Sequence, residues 1–149
     1  MKADDTLPLF RAFAAPLTRL VKLTPEGFLI RDEGGEEVCP ELSGRLRKMQ
    51  LLRKRFEDHL LVCQSADGAT ADDGTACEGC LHPRCRPQLR IHLAEGPAVY
   101  VIDLNVTSAR NLLALQEQAE AAGGALEDWT LRAAVVPRGY WGEVRFTRA

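Results

Sequence analysis

Gln88-Leu89-Arg90-Ile91-His92-Leu93, the turn Glu95-Gly96-Pro97, and then Ala98-Val99-Tyr100-Val101-Ile102-Asp103-Leu104 form the stretch that decides the fold. The first run alternates polar and apolar side chains, the period of a strand with one buried face. The second is rich in β-branched and aromatic residues, so it reads as the antiparallel partner and the two make a hairpin. Downstream, Thr107 or Ser108 can cap a helix, because a hydroxyl there accepts from a free backbone amide. Leu112, Leu113, Leu115, Ala119 and Ala122 fill one broad side of that helix, Glu117 and Glu120 take the wet side, and Gly123-Gly124 stop it. Residues 129–136 and 140–148 read as two further strands joined by Pro137-Arg138-Gly139.

Upstream, Leu46, Lys48, Gln50 and Leu52 alternate loosely with Arg47, Met49 and Leu51. A helix through Leu46, Met49, Leu52 and Phe56 competes with this strand reading. The strand is preferred because the sheet implied downstream is short of one strand. His59-Leu60-Leu61-Val62 then extends or re-enters that sheet. The order becomes strand, long loop with cysteines, strand, strand, helix, strand, strand, which is the element order of an OB-fold barrel. The expected architecture is therefore mainly β with one helix (α+β): a five-stranded OB-fold-like barrel over residues 44–149, with a zinc-binding insertion at 63–85 between the first two strands. Residues 1–43 are expected to form an extension that covers one end of the barrel or pairs with its edge. In that extension Leu7, Phe10, Phe13, Leu17, Leu20 and Val21 recur at helical spacing, Pro8 and Pro16 break any helix into short pieces, and Phe28-Leu29-Ile30 reads as a short strand.

The insertion carries the most specific chemistry. Cys77-Glu78-Gly79-Cys80 and Cys85, with Cys63 upstream, place four thiolates at spacings that can close a tetrahedral site around one Zn²⁺, and Gly79 frees the backbone to turn between the first pair. The same four thiolates could instead hold an iron–sulfur cluster, form a redox Cys-x-x-Cys pair with incidental neighbours, or be buried free thiols. Of the five cysteines, Cys39 lies too far upstream to join them. No apolar run is long enough to span a bilayer, and the start of the chain lacks the pattern of a secretory leader. A reducing cytoplasm is the expected compartment, and thiols there serve as ligands more readily than as disulfides.

The formal net charge of −2 argues against a protein that coats nucleic acid with its whole surface. Charge is segregated, however. Arg45, Arg47, Lys48, Arg53, Lys54 and Arg55 form one basic cluster, and Arg84, Arg86 and Arg90 flank the last cysteine. Acidic residues gather in Asp32-Glu33-Gly34-Gly35-Glu36-Glu37 and in Asp72-Asp73. Such segregation can produce a local positive patch suited to phosphates, with a solvated charged face as the plain alternative. Catalysis is not expected: His59, His82 and His92 are scattered without an acid partner, there is no glycine-rich phosphate loop or His-Glu-x-x-His, and Asp103 with Asn105 is a weak carboxylate lead.

Arg53-Lys54-Arg55-Phe56, Cys63-Gln64-Ser65-Ala66-Asp67-Gly68, Cys77-x2-Cys80-x4-Cys85, the strand pair and Thr107-Ser108-Ala109-Arg110-Asn111 together resemble small zinc-bearing OB-fold proteins of phages and mobile elements, several of which bind single-stranded DNA. The resemblance covers residues 44–148. One departure is the ending Phe146-Thr147-Arg148-Ala149, where replicative single-strand-binding proteins carry an acidic tail. The resemblance implies a binding face on the second and third strands, flanked by the loop that holds the metal and by Pro137-Arg138-Gly139-Tyr140-Trp141. There Arg138 would take phosphates while Tyr140, Trp141 and Tyr100 stack on bases, and Trp129 is assigned to packing. The expected function is non-enzymatic binding of single-stranded nucleic acid, DNA before RNA. The alternative is an interaction subunit or adaptor within a recombination, replication or effector complex.

Overall fold

A computed structural model describes residues 17–32, 34–57, 60–65 and 85–149. Cys77, Cys80, His82, Arg84, His59 and the readings made on residues 1–16 lie outside the described residues, and for Arg55, Cys63 and Cys85 only the backbone is described. The elements in chain order are β1 (Leu17–Thr24), β2 (Gly27–Asp32), β3 (Gly35–Cys39), β4 (Glu41–Glu57), β5 (Leu60–Ser65), β6 (Cys85–Glu95), β7 (Ala98–Leu104), α1 (Val106–Ala121), a short 3-10 turn (Leu126–Asp128), β8 (Thr130–Arg138) and β9 (Trp141–Arg148). The chain is mainly β with one helix.

All strands join one curled mixed sheet in the order β3-β2-β1-β7-β6-β4-β8-β9, with β5 added on β4. The strand reading of residues 46–52 holds, because β4 is a 17-residue strand that serves both of its edges. It pairs with β6 from Arg45↔Ala94 to Arg55↔Cys85, with β8 from Glu41↔Ala134 to Arg45↔Thr130, and with β5 from Arg53↔Ser65 to Glu57↔Leu60. The strand changes partners at Gly44, where a Cβ would lie 2.5 Å from the Ala94 carbonyl oxygen. Only a residue without a side chain lets two backbones cross that closely. A register shift between Leu46 and Lys48 adds further twist next to it.

The N-terminal strands belong to the same sheet. β1 runs parallel to β7 with Val21↔Ile102 in register, and β2 and β3 follow as antiparallel neighbours. At the end of β1 the Thr24 carbonyl abuts Gly142 of β9, where a Cβ would lie 2.5 Å from it. The sheet thus curls until its first and last thirds touch. Ile91, Ile102, Leu104 and Leu131 from the sheet and Leu112 from the helix are fully buried inside the curl. Each such side chain contributes about 1.5–3 kcal/mol through burial.

The helix begins earlier than its hydroxyls suggest. Asn105 is the N-cap and its Oδ1 accepts from Ser108 N at 3.0 Å, so neither Thr107 nor Ser108 caps. Ser108 is buried instead, and its Oγ accepts from Val144 N at 2.8 Å. The buried stripe is Ser108, Leu112, Leu115 and Ala119, narrower than expected, with Leu113 46% exposed and Ala122 exposed. Gly123, at φ 80°, ends the helix.

This stripe also closes the edge of β9. Asn105 Nδ2 donates to the Gly142 carbonyl at 2.9 Å, and Asn111 Nδ2 donates to the Val144 carbonyl at 2.9 Å. With Ser108, three polar side chains one helical turn apart thus satisfy main-chain groups that an edge strand would otherwise leave to solvent.

Candidate nucleic-acid interface

Antiparallel pairing of β6 with β7 sets Arg90 opposite Asp103 on the face away from the core, and the same row carries His92 opposite Val101. Asp103 Oδ1 accepts from Arg90 Nε at 2.7 Å, and Oδ2 accepts from Arg90 Nη2 at 3.0 Å. Lys54 of β4 also donates to Oδ2, and its side chain is only 9% exposed. Burial pushes the Asp103 carboxyl up, but the hydrogen bonds and charges of Arg90 and Lys54 together outweigh it, so its pKa lies below the ordinary aspartate value. Burial, with the charges of Lys48 and Arg90, lowers that of His92.

Beside this cluster lies a cleft of about 380 Å³ whose walls include Lys22 and Leu23 of β1, Gln88 of β6, Asp103 and Asn105 at the end of β7, and Tyr140 and Trp141. The last two belong to the β8–β9 hairpin, whose strands end at Arg138↔Trp141 and leave Gly139-Tyr140 as a two-residue turn. Gly139, at φ 71°, supplies the backbone conformation such a turn requires. Tyr140 stands at the tip, 93% exposed. Behind it Arg138 and Arg145 both donate to Glu143, at 3.0 and 3.1 Å, while Asn111 donates to the same carboxylate at 3.1 Å. The bonds from Arg145, Asn111 and Arg138 hold Glu143 below the usual carboxylate range.

The basic run 45–55 does not form one patch. Arg45 and Arg53 are eight positions apart on β4, roughly 26 Å at about 3.3 Å per residue. Arg45 donates to the Asp128 carbonyl at 2.9 Å near β8. Arg47 and Lys48 are exposed near the bulge, Arg53 is half-buried, and Lys54 is held by Asp103. Arg86 is exposed, opposite Lys54 in the β4–β6 register. Tyr100 is half-buried and packs against the core cluster, on the side opposite Asp103. Trp129 packs on that cluster too, under the Arg148 guanidinium at 4.5 Å. Lys22 and Gln88 enter the cleft unannounced. Lys22 directly follows the residues read at helical spacing, and Gln88 was legible only as the polar start of an alternating run.

The backbone brings two of the four cysteines together. Arg55 pairs with Cys63 on one side and with Cys85 on the other, so these two residues occupy the same level of the sheet with one strand between them. Two strand spacings of about 4.8 Å exceed the roughly 7 Å that a disulfide spans between Cα atoms. Cys39, on β3, is half-buried and free, and burial raises its pKa, with Glu37 adding to the effect. Among the described residues no group of metal-ligating side chains converges, and no helix is long and apolar enough to cross a membrane.

No family model, curated protein or solved structure matches the chain.

Proposed function

We propose that the protein is a non-enzymatic, cytoplasmic binder of single-stranded nucleic acid, DNA before RNA, built on the OB-fold path. The strand order β7-β6-β4-β8-β9, with α1 between β7 and β8, supports that path. On it β4, β6, β7, β8 and β9 are the five barrel strands, and β1 lies beside β7 where a closed barrel would pair its third strand with its fifth. The observation that carries the function is the hairpin tip: Tyr140 is almost fully exposed and shares one cleft with Trp141 and the outer β6–β7 face. A single strand offers unstacked bases, each worth about 1–3 kcal/mol on an aromatic ring, while exposed Lys22, Lys48 and Arg86 answer phosphates.

The same reading assigns a structural zinc to Cys63 of β5, Cys77 and Cys80 of the following segment, and Cys85 at the start of β6. Four thiolates are a soft donor set suited to Zn²⁺ or to an iron–sulfur cluster, and the shared level of Cys63 and Cys85 brings the ends of the segment together. A bound zinc would crosslink that segment without taking part in chemistry. Metal content measured on protein purified without added zinc should give one zinc per chain. A visible absorption band would replace zinc by a cluster.

Titration of labelled single-stranded and duplex DNA at two salt concentrations tests the function. Single strands should be retained at low salt and released steeply as salt rises. Failure to retain them at low salt would overturn the reading. It would leave the interaction-subunit reading, which is favoured by Leu51, Val106 and Leu113 exposing 46–55% of their surface around one apolar groove between β6 and α1.

A further inference from the structure

We infer that the cleft beneath Tyr140 receives one nucleotide of the bound strand base-first, and that Gln88 reads the base through a hydrogen bond its carboxamide lacks in the free protein. This rests on the single-strand reading above. Among the described residues, Gln88 Oε1 is the buried side-chain polar atom without a hydrogen-bond partner, and Gln88 lines both this cleft and the groove between β6 and α1. An orphaned buried acceptor costs about 1–3 kcal/mol, so a ligand that donates to it recovers that amount, whereas one that cannot leaves the cost in place.

The carboxylate and the other carboxamide of the cleft are already occupied. Asn105 uses Oδ1 on Ser108 N and Nδ2 on the Gly142 carbonyl. Asp103 accepts three hydrogen bonds from Arg90 and Lys54. Gln88 Oε1 is left as the buried acceptor that a base donor would satisfy. The remaining surroundings fit a nucleotide: Trp141 supplies a planar wall, Tyr140 an exposed ring at the rim, and exposed Lys22 a cation for the phosphate. A volume of about 380 Å³ lies within the roughly 300–1,000 Å³ of small-ligand sites, which is room for a single unit and not for a folded partner.

The decisive probe is an oligothymidylate paired with its N3-methylated counterpart, which lacks the ring N–H that would donate to Gln88. Anisotropy titrations should show the wild-type protein preferring the unmethylated strand by about tenfold, the equivalent of one hydrogen bond of about 1.4 kcal/mol. Gln88→Met, which keeps the side-chain length, should reduce that ratio to about twofold or less without altering the salt slope. Gln88→Leu serves as a second variant, with thermal unfolding confirming that each remains folded. A ratio that persists in both variants would be steric and would overturn the inference, as would a wild-type ratio near one. Absence of any binding to the unmethylated strand would instead bring down the single-strand reading, and this inference with it.

Discussion

Two carboxylates in this protein each hold two cations, and they do so in different surroundings. Asp103 binds Lys54 and Arg90, whose side chains are 9% and 25% exposed, while Glu143 binds Arg138 and Arg145, which remain 42% and 57% exposed. The first trio is largely enclosed on the β6–β7 face, so its charges are held in place, with one positive charge in excess. The second stands behind the hairpin tip, where a guanidinium can release one partner and meet a phosphate without crossing a buried surface. Equal stoichiometry therefore supports two roles: Asp103 maintains the shape of the face, and the Arg138 side keeps charge available to a ligand.

The difference can be broken most severely at Asp103. Replacement by Ala should cost about 3 kcal/mol in urea unfolding, because Lys54 is left charged and enclosed. Adding Lys54→Met should recover most of that loss; a loss below about 1 kcal/mol, or no recovery, would show that the trio is not structural. Acid sharpens the same point. Because the folded-state pKa of Asp103 is depressed, its contribution is complete above the unfolded value of about 3.8 and disappears as pH falls through the folded value. The stability gap between wild type and Asp103→Asn should therefore close in acid, and a gap constant with pH would contradict the ion pairing. On the ligand side, Tyr140→Ala should weaken single-strand binding by about 1–3 kcal/mol with an unchanged melting temperature. Arg138→Ala should have the smallest effect, a few-fold loss of affinity with the salt slope reduced by about 0.7, the value for one contact to a single strand.

Much of the sheet was legible because its period is local. The alternation in residues 88–93 and the β-branched run 98–104 gave β6 and β7 directly, and the shortage of one strand decided residues 46–52 correctly. The N-terminal strands were harder to see. Leu17, Leu20 and Val21 suggested helical spacing, but Val21 is buried in a strand while Leu20 is 71% exposed on its other face. The helix cap was misplaced because Ser108 carries the right chemistry and applies it to Val144 instead of to the helix end. The basic run was misleading as a patch because a strand sends successive residues to opposite faces and spreads them along its length. Gln88 as an orphan could not be read at all, since it depends on which strands meet around it.

The helix stripe of Asn105, Ser108 and Asn111 has a consequence for assembly. A strand arriving from another molecule at β9 would find the Gly142 carbonyl and both main-chain groups of Val144 already taken. Strand addition is therefore disfavoured at β9 and easier at the opposite end of the main strand order, β3, where Glu36 and Glu37 are exposed and would favour a basic incoming strand. At the two ends of the main strand order, the β9 margin is closed by the helix at Gly142 and Val144 and the β3 margin selects by charge, so the two ends are not equivalent for any array built on them.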